Sequence, residues 1–452
     1  MDYTSHGIHE RDQILNTIGS SSLEELIDRI LPKKFQLNRD LEIPSSMSEL
    51  RLFEHFHDLS RKNSVAAMEL CLLGGGAYDH YIPAAVGHIL SRSEFYTAYT
   101  PYQAEVSQGT LQTIYEFQTM ICRLTGMDAA NASHYDGATA LAEAVLMAVR
   151  SKKRNAVVLP WGFNPIYRQV LETYCQPLGI ELRVLRCSDG RIDPAEISSL
   201  SDGAAALVIQ QPNFFGLLEP VEEASQAAHD RDALVISSTY PVSLAMLKPP
   251  GEWGADIATG EGQPFGAALN LGGPYVGLFA VRQSLIRQMP GRLVATTQDR
   301  HGRDGFVLTL QTREQHIRRE KATSNICTNE ALVALGALVY LSLVGGKGLK
   351  KVAGNSYRAA HYLAQRLLEI PDVSLHFQGD FFNEFMVDLP KPAIEIQDTL
   401  AKRGMFVGPS PSRWWSDMEN SLLVAVTEKP TRADLDRFVV ELAGLLKKNH
   451  SR

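Results

Sequence analysis

Between positions 130 and 285, short apolar runs alternate with helix-like segments. The runs fall at 156–159, 182–185, 205–209, 234–236, around Ile257, and at 276–281. Each is too short for a helix and too continuous for a strand with one wet face, so each predicts a strand buried on both faces. Strands alternating with helices predict βαβ units and a mostly parallel sheet with helices on both faces. Right-handed crossovers narrow the topology further. After Gly345-Gly346 the pattern changes: a helix over 350–370, strands near 384–389 and 422–426, and a last helix over 432–447. The expected organisation is a helical N-terminal arm (1–75), a large α/β domain (76–330) and a smaller α+β domain (331–452).

Residues 1–60 carry amphipathic helical patterns. Ser22 precedes Leu23-Glu24-Glu25-Leu26-Ile27, and a serine followed three residues later by glutamate predicts a capping box. A second helix is expected from Ser48, with Leu50, Phe53 and Leu59 on one side. Such an arm either wraps a partner subunit or caps its own domain. The apolar, uncharged stretch 331–346 falls short of ~18 residues and contains Gly336 and Ser342, so it predicts a buried helix and no membrane span. There is no internal repeat.

The chain has 452 residues, about three times the usual ~150 per domain. Hydrophobic residues at 44% and charged residues at 21% exclude a disordered, collagen-like or disulfide-scaffold class. A net charge of −7 argues against wholesale nucleic-acid binding. Cysteines stand at 71, 122, 175, 187 and 327, an odd set without a CxxC pair. Together with an N-terminus (MDYTSHGIHERDQ) that lacks a basic-then-apolar leader, this points to a reducing, cytoplasmic setting.

Three stretches concentrate chemistry. In SHYDGATALAEAVLMAVR (133–150), Asp136, Gly137, Ala138 and Thr139 open a strongly apolar helix. Free amides and the helix dipole make that start a candidate phosphate loop, or else Asp136 and Thr139 only cap it. In REQHIRREKATSNICTNEAL (313–332), Arg313, Arg318, Arg319 and Lys321 gather positive charge, either for an anion or as a solvated face paired with Glu314 and Glu320. In YTAYTPYQAEVSQG (96–109), Tyr96, Tyr99, Tyr102, Gln103, Glu105 and Gln108 suit a binding loop or a packing loop. GGKG at 345–348 lacks Walker spacing and is expected to be a turn. No Gly-x-Ser-x-Gly elbow, HExxH pair or Gly-x-Gly-x-x-Gly site supports hydrolase, zinc or nicotinamide chemistry. His55 and His57 read as surface residues, and no metal site is expected.

Together, YTAYTPYQAEVSQGTLQ, the NAS-HYDGATA loop and RREKATSNICTNEAL resemble the P-protein family of the glycine cleavage system, the glycine decarboxylases. Length and order are similar to subunit 1 of its split bacterial form. The resemblance implies the α/β fold of type I pyridoxal-phosphate enzymes, aspartate aminotransferase-like. It implies an oxidoreductase acting on glycine, whose aminomethyl group passes to the lipoyl arm of the H protein. The implied partners are a glycine decarboxylase subunit 2 and lipoylated H protein, in an α2β2 heterotetramer, with no nucleic acid and no membrane.

Against that family, two essential groups are missing. Where the resemblance places the cofactor lysine, the chain reads Gly260-Glu261-Gly262-Gln263-Pro264-Phe265-Gly266, and no lysine occurs between Lys248 and Lys321. Neither Gln263 nor Pro264 can form an imine. Where an aspartate would support the pyridine nitrogen, Ser237 and Ser238 stand. The resemblance therefore implies that pyridoxal phosphate is held covalently by the partner and not by this chain. Tyr96, Tyr99, Tyr102, Gln103, Lys321, Ser324 and Asn325 are the candidates for completing the partner's site. The alternatives are a regulatory pseudoenzyme binding a phosphate metabolite at 133–140, or an autonomous enzyme using Lys248 or Lys321.

Overall fold

The computed structural model describes residues 6–37, 39–64, 69–200, 202–270, 272–322, 324–326 and 328–447. They fall into two compact units, Met1–Ser64 and Val65–Arg452. Cys327 lies outside the described residues; Cys71, Cys122, Cys175 and Cys187 are free thiols.

In the larger unit, the apolar runs become strands because both their faces are covered. Val157, Val158, Leu207, Val208, Val235 and Ile236 are fully buried. Seven strands form one sheet in the edge-to-edge order Ala129–Ala130, Gly277–Val281, Ile257–Glu261, Leu234–Thr239, Ala206–Gln211, Ala156–Pro160, Glu181–Leu185. The last five run parallel. Gly277–Val281 is antiparallel to both of its neighbours, so the sheet is mixed at one edge. Helix Gly137–Lys152 packs Ala140, Leu141, Ala144 and Val145 on one face, together with Val157, Val208 and Ile236. The other face takes Val158, Leu207 and Val235 against Phe117 and Tyr340, which lie on Gln108–Thr125 and Ala331–Leu367.

Helix Ala331–Leu367 consists of two helical halves that meet at Gly345 (φ 58°, ψ 180°), so the turn expected at 345–348 narrows to a kink at that one residue. The helix expected over 350–370 is thus the second half of a longer one. The two halves meet at Gly345, whose positive φ a glycine adopts without a Cβ penalty. By length and hydropathy this is the one helix among the described residues that would suit a membrane. Its first half is instead buried through Ala334, Leu335, Ala337, Leu338 and Tyr340, the last stacked 5.8 Å from Phe265.

A smaller antiparallel sheet joins Ser374–Leu375, Glu384–Asp388 and Ser421–Ala425. Its core combines Phe385 and Val424 with Leu363, Leu367 and Phe438 from the flanking helices. Strand Leu70–Leu73 pairs in parallel with Met405–Gly408 beside it. The two layers meet at Gly216 (φ +85°), where an added Cβ would sit 1.8 Å from the Glu384 carbonyl oxygen. Leu217 bridges Phe381 at the same place.

The unit Met1–Ser64 has helices Ile8–Ile18, Leu23–Ile30 and Glu49–Ser60. The Ser22 hydroxyl accepts from Glu25 N at 3.1 Å, as expected, but the Glu25 carboxylate reaches Ser21 N at 2.6 Å, one residue further back. Ser48 caps the third helix, accepting from Arg51 N. Among the described residues of this unit nearly all apolar side chains are exposed, Ile27, Ile30, Phe53 and Phe56 among them; Leu15 is buried and Leu26 half-buried.

Gly216→Ala should destabilise the chain by at least about 2 kcal/mol, because left-handed strain and a backbone clash act together. Gly203, also left-handed (φ +70°) but with nothing within 4 Å, serves as the control. Gly203→Ala should cost only about 1 kcal/mol. Urea denaturation of both variants checks the difference.

Candidate functional site

The start of helix Gly137–Lys152 lies at the end of the parallel strands, where ligands of open α/β sheets bind. Asp136 caps it: its Oδ1 accepts from Thr139 N at 2.8 Å, and Thr139 Oγ1 accepts from Asp136 N at 3.1 Å. Gly137 N donates to Glu261 Oε2 at 2.9 Å. The other carboxyl oxygen of Glu261 accepts from Gln263 N (2.9 Å) and Val276 N (3.2 Å). A carboxyl group from the end of strand Ile257–Glu261 therefore occupies the anion seat that the helix dipole creates. Gly137 is required here, because a Cβ would meet Tyr167 Oη at 2.5 Å and Glu261 N at 3.0 Å. Burial pushes the Glu261 carboxyl up to about 8; the three backbone N–H groups pull the other way, and the Asp136 charge adds to the rise.

Below this seat lies a cavity of about 30 Å³, walled by Tyr78, Tyr167, Ser238, Tyr240, Glu261 and Glu384 among others. That is room for about two water molecules. Glu384 Oε2 accepts from Tyr78 Oη at 2.8 Å and Oε1 from Gly75 N at 2.7 Å, while burial pushes its carboxyl up to about 7. Burial and nearby carboxylates likewise raise the phenols of Tyr78, Tyr167 and Tyr240. From Tyr240 a hydrogen-bonded chain runs to His80 and on to Glu428, the last step 2.7 Å.

Gln263 is fully buried. Its Oε1 accepts from Tyr78 N at 3.0 Å, and its Nε2 donates to Tyr78 O (2.9 Å) and Ala267 O (2.8 Å). It fastens the loop around Tyr78 onto the turn after the strand, with Pro264 buried beside it. Ser237 Oγ lies 2.5 Å from Thr239 Oγ1, and Ser238 is on the cavity wall. Pyridoxal phosphate does not fit this arrangement. The space is far smaller than its ring, no lysine lines it, and amides of the helix start are already bonded to Glu261 and Asp136.

The tyrosine loop lies elsewhere. Tyr96 and Tyr99, 67% and 75% exposed, line a second cavity of about 240 Å³ with Thr113, Arg292, Asn329 and Glu330. The Tyr102 ring lies 5.6 Å from the Arg292 guanidinium and 6.0 Å from His316. Gln103, Lys321 and Asn325 are exposed and line neither cavity. Ser324 Oγ accepts from Ile326 N at 3.0 Å. The basic cluster is split: Arg318, Arg319 and Lys321 are exposed, whereas Arg313 turns inward and donates to the Leu310 and Gly291 carbonyls. Lys248 pairs with Glu222 at the surface. Sequence reasoning missed Arg292, Glu384, Tyr167 and Tyr240, which sit in apolar or turn contexts without motif spacing. No group of three His, Cys, Asp or Glu placed to hold a metal occurs among the described residues.

A carboxyl held above its unfolded pKa binds more protons in the folded state between the two values. Stability therefore falls as pH rises from about 4.5 to about 8 and is flat beyond. Glu261→Gln removes this titration. The variant is expected to lose less stability than wild type between pH 5 and 8, by on the order of a few kcal/mol. Urea denaturation across that range measures the slope, whatever the variant's absolute stability.

Comparison with known proteins agrees with this architecture. The family model described as glycine cleavage system P-protein matches residues 1–442. A Chlorobium limicola protein named probable glycine dehydrogenase (decarboxylating) subunit 1 is 54% identical over 439 residues, 96% of this chain and 98% of that protein. A Carboxydothermus hydrogenoformans protein of the same name is 51% identical over 445 residues, 98% of this chain and 100% of its own length. A crystal structure of glycine decarboxylase (P-protein) of the glycine cleavage system, in inhibitor-bound form, superposes with a TM-score of 0.92 at 43% identity, covering 99% of this chain and 100% of the other. Lactobacillus brevis glutamate decarboxylase shares the fold alone, with a TM-score of 0.70 at 13% identity over 94% of this chain and 99% of its own. With the fold of type I pyridoxal-phosphate enzymes and a family match along nearly its whole length, the chain belongs to the glycine cleavage system P-protein family.

Proposed function

We propose that this chain works as subunit 1 of a two-subunit glycine dehydrogenase (decarboxylating). With a second subunit that holds pyridoxal phosphate covalently, it decarboxylates glycine and hands the aminomethyl group to the lipoyl arm of the H protein. When bound in the partner, the cofactor supplies the electron sink for decarboxylation. The observation that carries this reading is the filled pocket. Glu261 takes the anion seat and Gln263 stands where a lysine is needed, in a chain that otherwise keeps the family's full length.

Two further features support an obligate partner. The helices of Met1–Ser64 leave an apolar surface in water that a free chain has no reason to keep. The Tyr96–Tyr99 face is also open, so it is available to complete a neighbouring site. We place the pair in an α2β2 assembly in the cytoplasm. The regulatory-pseudoenzyme alternative is not favoured, because Gly137 N and Thr139 N already have carboxylate partners and a phosphate would have to displace both.

The isolated chain is expected to show no visible-range absorbance from protein-bound pyridoxal phosphate, and borohydride should fix no pyridoxyl group to any of its lysines. Mixed with subunit 2 and lipoylated H protein, it should restore glycine-dependent exchange of labelled carbon dioxide. A pyridoxyl-lysine in this chain, or full exchange by subunit 2 alone, overturns the reading. Tyr99→Phe and Tyr102→Phe should each leave assembly intact. Each should lower exchange roughly ten- to a hundred-fold if the hydroxyl bonds a charged group in the transition state. Wild-type rates in both variants and in the double variant would remove the loop from the site.

A further inference from the structure

The guanidinium of Arg292 is a buried charge with unused hydrogen-bonding capacity on the wall of a cavity. Its side chain is 5% exposed and forms part of the wall of the second cavity, of about 240 Å³. Its Nε has no hydrogen-bond partner. Nη2 makes one long bond, 3.4 Å, to Tyr102 Oη. The nearest carboxylate, Glu314 Oε2, stands 3.7 Å from Nε, close enough for attraction and too far for a hydrogen bond. Glu314 is itself 7% exposed and keeps Oε1 without a partner. The backbone of Arg292 is fixed, its carbonyl accepting from Ala132 N at 2.9 Å. The pair is thus a positioned cation with a weak counter-ion and unused donors.

A buried charge left in this state is costly unless something completes its bonds. Arginine presents a planar fork that matches a carboxylate and can bind it with two parallel hydrogen bonds. Glu330 lines the same cavity, and burial raises its carboxyl, with the Asp136 charge adding to the rise. One cationic and one acidic side chain therefore share a wall that is otherwise aromatic and aliphatic, through Phe95, Tyr96, Tyr99 and Leu335.

We propose that this cavity is a binding site for a small zwitterionic amino acid, whose carboxylate is held by Arg292 and whose ammonium group faces Glu330. Under the proposed function, on which the choice of ligand rests, that amino acid is glycine. A ligand without a side chain offers nothing but its two charged ends to grip, and the cavity supplies one partner for each. Tyr99 and Asn329 line the same cavity.

Two experiments test this and separate it from the proposed function. In the first, glycine at tens of millimolar is added to the full chain alone and followed by saturation-transfer NMR, which needs neither partner nor turnover. Saturation transfer to glycine is expected with the wild-type chain. It should vanish in Arg292→Gln and fall at least several-fold in Arg292→Lys, which keeps the charge and loses the fork. Undiminished transfer in both variants, or none with the wild type, overturns the site. If Arg292→Gln does not fold, the lysine variant and Glu330→Gln carry the test.

In the second experiment the wild-type and variant chains are paired with subunit 2 and assayed for carbon dioxide exchange. Arg292→Gln and Arg292→Lys should each raise the glycine KM roughly tenfold or more with assembly unchanged. If they weaken assembly and leave KM alone, Arg292 meets a carboxylate of the partner and the proposal fails. An active wild-type pair with unaffected variants sinks this inference alone. An inactive wild-type pair sinks the proposed function, and the NMR result then decides the site by itself.

Discussion

The fold around the site depends on one carboxyl group. Glu261 ends a central strand and collects three backbone N–H groups, from the first turn of a helix, from the turn after its own strand, and from the residue before the antiparallel strand Gly277–Val281. Each of those amides is buried or nearly so. Removing the carboxyl would leave three donors unpaired, at roughly 1–3 kcal/mol apiece. A carboxylate at a helix N-terminus also gains from the helix dipole. The interaction works because Gly137 has no side chain, so strand and helix approach within a distance that any Cβ would prevent.

From that contact the rest of the pocket follows. With the anion seat filled, Gln263 is free to staple the Tyr78 loop, and Tyr78 in turn bonds to Glu384 of the smaller sheet. The large and small layers are thereby tied through polar groups as well as through the Gly216 approach. The price of the arrangement is two carboxyl groups held away from water, both pushed up in pKa by burial. A small polar cavity that is rigid and nearly full has no scope for a ring-sized ligand.

Much of the sheet was legible in the sequence, because strands buried on both faces write themselves as continuous apolar runs. The parallel core and the C-terminal strands fall within about three residues of the expected positions. The helix Ala331–Leu367 was only half legible, since a glycine pair reads as an end when tertiary packing lets it serve as a kink. Of the candidate residues, Asp136 and Thr139 were in view as a phosphate loop or a helix cap, and the structure holds the cap. Glu261 was in view but without a role, because its three donors come from positions as far as 124 residues away in the chain. Arg292 carried no local signal, and its importance lies in what fails to bond to it. The basic segment misled for a related reason: Arg313 turns inward, as does Glu314 beside it, while Arg318, Arg319 and Lys321 face outward.

The two cavities differ in a way that local chemistry explains. In the smaller one, the buried carboxyl oxygens of Glu261 and Glu384 are bonded to amides and to the Tyr78 hydroxyl at 2.7–2.9 Å, so these groups satisfy one another and need no ligand. In the larger one, a buried guanidinium on the wall beside exposed tyrosines stops just short of bonding Glu314, a buried carboxylate outside that wall. Folding alone gives no reason to hold a cation in that state, since an apolar residue of similar size would pack there without the desolvation cost. Binding does give one. A donor fork that is already dehydrated and fixed loses little entropy when a carboxylate arrives, and so converts a standing cost to the fold into affinity for a ligand too small to be held in any other way.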